Sequence, residues 1–179
     1  MSFFDHILNG IYTVILTAAF RPKVFYEDPA MKGNLPQAIY ISNHMFHLDG
    51  FMWSIIFRKI KLRTIITKVW YDKKWARRLL FYGDRFISID RSNPGTGWIH
   101  ESRRAIKEGC SILMFPEGHT SKCEEMNEFE PGFLMLDSFV KNVPIVPIVH
   151  SGKYNWFFGP RKRILIGKPI TPDFKSIGA

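Results

Sequence analysis

The chain has 179 residues, enough for one domain with a substantial core, and it contains no internal repeat or low-complexity tract to suggest a second. Its 25 Lys and Arg outnumber its 16 Asp and Glu, giving a formal net charge of +9, and 15% of the residues are aromatic. With no nucleic-acid-binding signature and with tryptophans beside lysines, this balance argues against nucleic acid as a partner and for an anionic membrane surface.

The first twenty residues hold no Lys or Arg, so they lack the charged start of a signal peptide. Residues 7–20 would make a helix of about 21 Å, too short for a hydrocarbon core of about 30 Å. Wound at 100° per residue, Phe4, Ile7, Leu8, Ile11, Val14, Ile15 and Ala18 share one face, with Asp5, His6, Asn9, Thr13 and Thr17 on the other. The expectation is an amphipathic helix over residues 1–23 that packs on the domain or lies in a membrane interface, followed by a domain over 24–179.

After a Pro- and Gly-containing connection, residues 38–42 form an apolar run that breaks at Asn43-His44, with Asp49 five positions beyond His44. On one unbroken helix these two side chains would point about 140° apart, so His44 is placed in a loop and Asp49 near the start of a helix over 50–59. A carboxylate beside an imidazole fixes its tautomer and stabilises the imidazolium. A second strand, 62–66, ends at Lys68, and from Trp70 the spacing of Tyr71, Trp75, Leu79 and Tyr82 is helical. A third strand, 86–89, delivers Asp90 and Arg91. A helix carrying Trp98, Ile99, Ala105 and Ile106 stops at Gly109, a suitable C-terminal cap. The strand at 111–115 turns through Pro116, Glu117 and Gly118; a helix at 133–140 and strands at 145–149 and 164–166 complete the pattern.

Apolar strands alternating with helices predict an α/β fold, a single domain with a largely parallel or mixed sheet flanked by helices. If the strands are parallel, His44, Lys68, Asp90-Arg91 and Glu117-Gly118 all gather at one sheet edge, where ligands bind in such folds. Cys110 and Cys123 flank the Pro116–Gly118 turn without metal-ligand spacing and read as free thiols.

Four ordered stretches carry a family resemblance: Asn43-His44 with Asp49, Phe86-Ile-Ser-Ile-Asp-Arg91, Phe115-Pro-Glu-Gly118 and Val143-Pro-Ile-Val-Pro-Ile-Val149. Together they resemble the glycerolipid acyltransferases, the family of 1-acylglycerol-3-phosphate acyltransferases, over roughly residues 35–172. The resemblance implies transfer of a fatty acyl group from an acyl-CoA or acyl carrier protein thioester to the free hydroxyl of a lysophospholipid. No cofactor, metal or covalent acyl-enzyme is expected. His44 would be the general base and Asp49 its orienting partner, with Lys68, Arg91, Glu117 and Gly118 binding substrate. In the family the residue matching Arg91 is associated with the acceptor's phosphate; Glu117 binds a glycerol hydroxyl or braces the site. Backbone N–H groups near the histidine loop or Gly118 are the candidates for stabilising an oxyanion. The expected location is the cytoplasmic face of the cell membrane, as a peripheral or monotopic protein.

One departure concerns the acceptor. The family commonly continues Phe-Pro-Glu-Gly with Thr-Arg-Ser, whereas this chain has His119 and Thr120 before Ser121, so an arginine near the phosphate is missing; either Lys122 or another cation replaces it, or the acceptor is not 1-acylglycerol 3-phosphate but glycerol 3-phosphate or another lysolipid. Two other readings stand beside the first: a metal-dependent hydrolase using His44, His47, Asp49, Glu117 and His119, and a non-catalytic membrane-binding module.

Overall fold

A computed structural model describes residues 21–45, 49–57, 59–72, 86–120, 127–130, 132–140, 143–152 and 160–171, with single positions between 11 and 18. In chain order the elements are β1 (Lys23–Tyr26), β2 (Ile39–Ser42), α1 (Asp49–Ile56), β3 (Leu62–Thr67), α2 (Lys68–Tyr71), β4 (Phe86–Ile89), α3 (Gly97–Lys107), β5 (Ser111–Met114), α4 (Gly132–Phe139), β6 (Ile145–Ser151) and β7 (Arg163–Ile166). The strands form one sheet in the order β1-β7-β6-β2-β5-β3-β4. β2, β3, β4, β5 and β6 run the same way, whereas β7 pairs antiparallel with β6 and parallel with β1.

Consecutive residues of the central strands serve opposite faces, as the two-residue period of a strand requires. Tyr40, Leu113, Val146, Ile148, Ile164 and Ile166 pack with Met52, Trp53 and Phe57 at one face. Ile39, Ile112, Met114 and Ile145 pack with Trp98, Ile99 and Ala105 of α3 and Leu136 of α4 at the other. Both faces of the middle of the sheet are therefore dry, which is why its strands are apolar at nearly every position. The second face stays open toward the β1 side: Phe25 and Leu165, partners in register, are 51% and 47% exposed, and Val149 opposite Leu165 is 47% exposed.

Two local devices set the geometry. α3 ends in a Schellman turn, with Cys110 N–H donating to Ala105 O and Gly109 N–H to Ile106 O, and Gly109 at φ +80° where a side chain would be strained. The chain thus reverses directly into β5. Pro147 sits inside β6 without breaking the sheet because its carbonyl faces β7, accepting the Gly167 N–H at 2.8 Å. Its missing donor falls on that same side, at the end of the ladder, so pairing with β2 loses nothing.

The strands predicted after residue 36 are present within two residues at either end, and Gly109 caps its helix as expected. β1 differs from the sequence reading: Lys23, assigned there to the N-terminal helix, opens a strand held by its N–H to Lys162 O. Ile11, Val14 and Ile15 are helical and more than half exposed; most of residues 1–20, and the stripe through Trp75, Leu79 and Tyr82, lie outside the described residues. Among the described residues no helix is long and apolar enough to cross a membrane. Cys110 is a buried free thiol, and Cys123 lies outside the described residues.

The register makes a direct prediction. Ile164 is fully buried and its neighbour Leu165 is half exposed, so Ile164→Ala is expected to cost about 2–4 kcal/mol of stability and Leu165→Ala less than about 1 kcal/mol. Urea unfolding of the two variants reads this directly, and equal losses would mean that β7 is out of register.

Candidate active site

Because β2, β3, β4 and β5 are parallel, their carboxyl ends deliver His44, Lys68, Asp90-Arg91 and Glu117-Gly118 to one edge of the sheet. The antiparallel β7 adds what no parallel strand could: its beginning, and Lys162 just before it, lie at that same edge beside the end of β6.

His44 lies in the loop that leaves β2, and Asp49 is the first residue of α1. Their side chains meet, with Nδ1 of His44 3.0 Å from Oδ2 of Asp49. A carboxylate accepts and does not donate, so Nδ1 carries the proton and Nε2 is left with its lone pair. Phe115 stacks on the imidazole with ring centroids 4.2 Å apart, holding its plane. The His44 side chain is 21% exposed and that of Asp49 is completely buried.

A buried carboxylate requires partners on every side. Oδ2 of Asp49 also accepts the Met45 N–H at 2.9 Å and lies 3.5 Å from Nε2 of His150, while Oδ1 faces Nζ of Lys162 at 3.8 Å. Lys162 is 3% exposed and donates to Gly152 O at 3.3 Å. Burial pulls its ammonium below the usual lysine range, and the charge of Asp49 works against that.

His150 is locked by Asn43, 107 positions away: Asn43 Nδ2 donates to His150 O and His150 N–H to Asn43 Oδ1, each at 2.9 Å. Its Nε2 lies 2.8 Å from Asn43 O, so Nε2 bears the proton, and the ring packs edge-on against Trp53. Burial depresses its pKa to about 4, against the raising influence of Asp49; the Lys162 charge lowers it further.

Glu117 is fully buried and points inward, not out to the open edge. One carboxylate oxygen accepts the His44 N–H at 3.0 Å, and the other accepts the Asn127 backbone N–H at 3.0 Å and its side-chain amide at 2.9 Å. Gly118, at φ +70°, has no room for a side chain: a Cβ there would stand 2.9 Å from Glu130 Cγ and 3.3 Å from Arg91 Nη2. Arg91 therefore lies directly over the turn, exposed at the edge. Its neighbour Asp90 bonds instead to Ser92, through the hydroxyl at 2.6 Å and the N–H at 3.1 Å. These bonds, chiefly the hydroxyl's, hold the Asp90 carboxyl below its usual range, with a smaller pull from Lys68.

Three N–H groups offered by the sequence reading as oxyanion donors are engaged elsewhere: His44 with Glu117, Met45 with Asp49 and Gly118 with Phe115 O. Residues 46–48, which include His47, lie outside the described residues. Among the described residues no group of three or more His, Cys, Asp or Glu is placed to hold a metal ion.

His150, Lys162 and Asn127 were not singled out from the sequence. His150 ends an apolar strand as His44 does, a signal available but unused. Lys162 gives no signal at all, since its place depends on β7 running antiparallel.

His150 makes stability depend on pH. Its imidazole titrates near 6.5 in the unfolded chain and about 4 in the fold, so between these values the unfolded state binds more protons. The His150 contribution is complete well above pH 6.5 and falls by up to about 3 kcal/mol as pH drops toward 4. His150→Gln keeps a polar, uncharged side chain, and its unfolding free energy is expected to fall less steeply by nearly one proton across that window; parallel slopes in urea titrations would refute the assignment.

Comparison with known proteins follows this geometry. The sequence model of the Acyltransferase family matches residues 24–151. A 1-acyl-sn-glycerol-3-phosphate acyltransferase of Limnanthes douglasii is 31% identical over 156 residues, 84% of this chain and 52% of that protein. One from Cocos nucifera is 36% identical over 125 residues, 66% of this chain and 38% of that protein. The chain thus spans about half the length, or less, of these curated relatives. The crystal structure of the 1-acyl-sn-glycerophosphate acyltransferase PlsC from Thermotoga maritima superposes with a TM-score of 0.59 at 18% identity, covering 98% of this chain and 69% of that one. That likeness shows a shared fold.

Proposed function

Since the chain belongs to the acyltransferase family, we propose that it transfers a fatty acyl group from an acyl thioester to the free hydroxyl of 1-acylglycerol 3-phosphate, giving phosphatidic acid. The observation that carries this reading is the partly open His44 imidazole, with Nδ1 held by a buried carboxylate and Nε2 left as a base. Nε2 takes the proton of the acceptor hydroxyl as its oxygen attacks the thioester carbonyl. The tetrahedral intermediate collapses to the ester, and the departing thiolate takes the proton back from the imidazolium and leaves as free thiol. Atoms balance without a cofactor or an acyl-enzyme. The developing imidazolium is stabilised by Asp49 and by the stacked face of Phe115.

Arg91 and Lys68 are the cations assigned to the acceptor's phosphate, standing in for the arginine absent after Gly118. Gly118 gives Arg91 its space. Glu117 is assigned to bracing the His44 loop, because its carboxylate is buried and bonded on both oxygens. The net charge of +9 and the exposed Ile11, Val14 and Ile15 support a peripheral position on the cytoplasmic face of an anionic membrane, with acyl-CoA or acyl carrier protein as the donor.

The test is thiol release from palmitoyl-CoA by the purified protein in detergent, with lysophosphatidic acid, glycerol 3-phosphate and lysophosphatidylcholine offered separately. Release with lysophosphatidic acid is expected, and His44→Ala is expected to reduce it by about 10²- to 10⁴-fold with the fold intact. Near-normal turnover in that variant removes the proposed base. Arg91→Ala is expected to raise the KM for lysophosphatidic acid about tenfold or more with kcat changed less; an unchanged acceptor KM sinks the phosphate assignment.

A further inference from the structure

We propose that Lys162 is a positioning residue for the transfer reaction: through the second oxygen of Asp49 it holds the carboxylate ionised and in place, and so sets how tightly the His44 imidazole keeps its proton. The proposal rests on the acyltransferase reading for its kinetic consequences, but not for the coupling itself.

Asp49 is surrounded by partners from separate segments. His44 and the Met45 amide come from the loop after β2, His150 from β6, and Lys162 from the residue before β7. Glu117, from the turn after β5, binds the backbone of His44. Of the groups within reach of the Asp49 carboxylate, both imidazoles can be neutral, and the His150 ring is held neutral by its burial. Among the described residues the ammonium of Lys162 is the opposite charge that faces Oδ1, 3.8 Å away. It is fixed from behind by the Gly152 carbonyl, so it cannot swing to the surface as lysines usually do.

The charge count has a chemical consequence. Among Asp49, Lys162 and His44 the charges cancel before reaction and sum to +1 after His44 takes a proton, with the Glu117 carboxylate on the His44 amide unchanged throughout. An aspartate without the lysine would hold an imidazolium more tightly, leaving His44 protonated and inactive over a wider range of pH. Lys162 therefore weakens the base just enough for the proton to be returned to the leaving thiolate. The same charge keeps the buried carboxylate from taking up a proton itself, which would cost His44 its orienting acceptor.

The experiment uses the full chain with Lys162→Met, Lys162→Arg, Asp49→Asn and the Asp49→Asn/Lys162→Met pair. In thiol release, Lys162→Met is expected to lower kcat severalfold near the acid limb, and at most about tenfold below it, with little change in acceptor KM. The acid limb of its kcat/KM profile is expected about one pH unit higher, and Lys162→Arg is expected to restore most of both. A folded Lys162→Met protein whose limb has not moved overturns the proposal. The same shift is expected in the NMR titration of the His44 ring protons without substrate. Should no acceptor support thiol release, that titration still decides the coupling, while the acyltransferase reading alone fails. Unfolding supplies an independent reading: Lys162→Met is expected to destabilise the wild-type protein but not Asp49→Asn, and additive losses count against the pairing. If Lys162→Met does not fold, recovery on adding Asp49→Asn supports the proposal and no recovery overturns it.

Discussion

The carboxylate of Asp49, removed entirely from water, is the constraint on which this structure turns. An ionised group in such a place must be matched by hydrogen-bond donors and positive charge, and taking away one member of a buried pair typically costs about 3–5 kcal/mol. The donors here come from three parts of the chain that only the sheet brings together: the loop after β2, the end of β6 and the approach to β7. The antiparallel direction of β7 follows the same logic. Were β7 parallel to β6, Lys162 would sit at the far edge and the carboxylate would lose its only fully charged partner within the described residues.

Around this centre lies a second set of bonds that turns separate motifs into one mechanical unit. Glu117 reaches across 73 positions to hold the amide of His44, and Phe115 from the same turn stacks on its ring. Movement of the turn after β5 therefore moves the imidazole. Gly118 continues the turn at φ +70° and lies under the guanidinium of Arg91, so the group assigned to the acceptor's phosphate rests on the peptide that braces the base. The two roles proposed here, holding the acceptor and taking its proton, would thereby share one support, which is how reacting groups are kept in register.

Much of this could be seen in the sequence because strong local signals agreed with the tertiary structure. β2, β5 and β6 are apolar runs that stop sharply at polar residues, and the strand-helix alternation fixes a parallel core whose ends converge. His44 and Asp49 were legible through the motifs shared with the acyltransferases, and their five-residue spacing added that a facing pair needs a loop between them. Glu117 was legible as the carboxylate of the turn after β5 but not in its direction; nothing in Phe115-Pro-Glu-Gly118 tells whether it faces outward or, as found, the protein. β1 was missed since Lys23-Val-Phe-Tyr26 has only four residues, follows a helical pattern directly, and is stabilised by pairing with β7 rather than by its own composition. Lys162 was beyond reach for the same reason: a lysine between two arginines reads as solvated surface, and only the register of β7 turns it inward.

That burial is what makes Lys162 informative. A lysine loses hydration and side-chain freedom when enclosed, and an apolar pair in place of both Lys162 and Asp49 would commonly fold as well or better. Stability alone therefore does not account for an ammonium in this position. The charge does account for something else. A dyad made of a neutral histidine and a bare buried aspartate is biased toward the imidazolium, and a base that is already protonated cannot begin the reaction. With the ammonium at the other oxygen, His44, Asp49 and Lys162 together start uncharged, and in the proposed reaction the one proton taken from the acceptor would leave a modest excess of positive charge for the departing thiolate to remove. On that proposal the cluster returns to its starting state in the same turnover, and the cost of burying Asp49 and Lys162 together is matched by a base that can both take a proton and let it go.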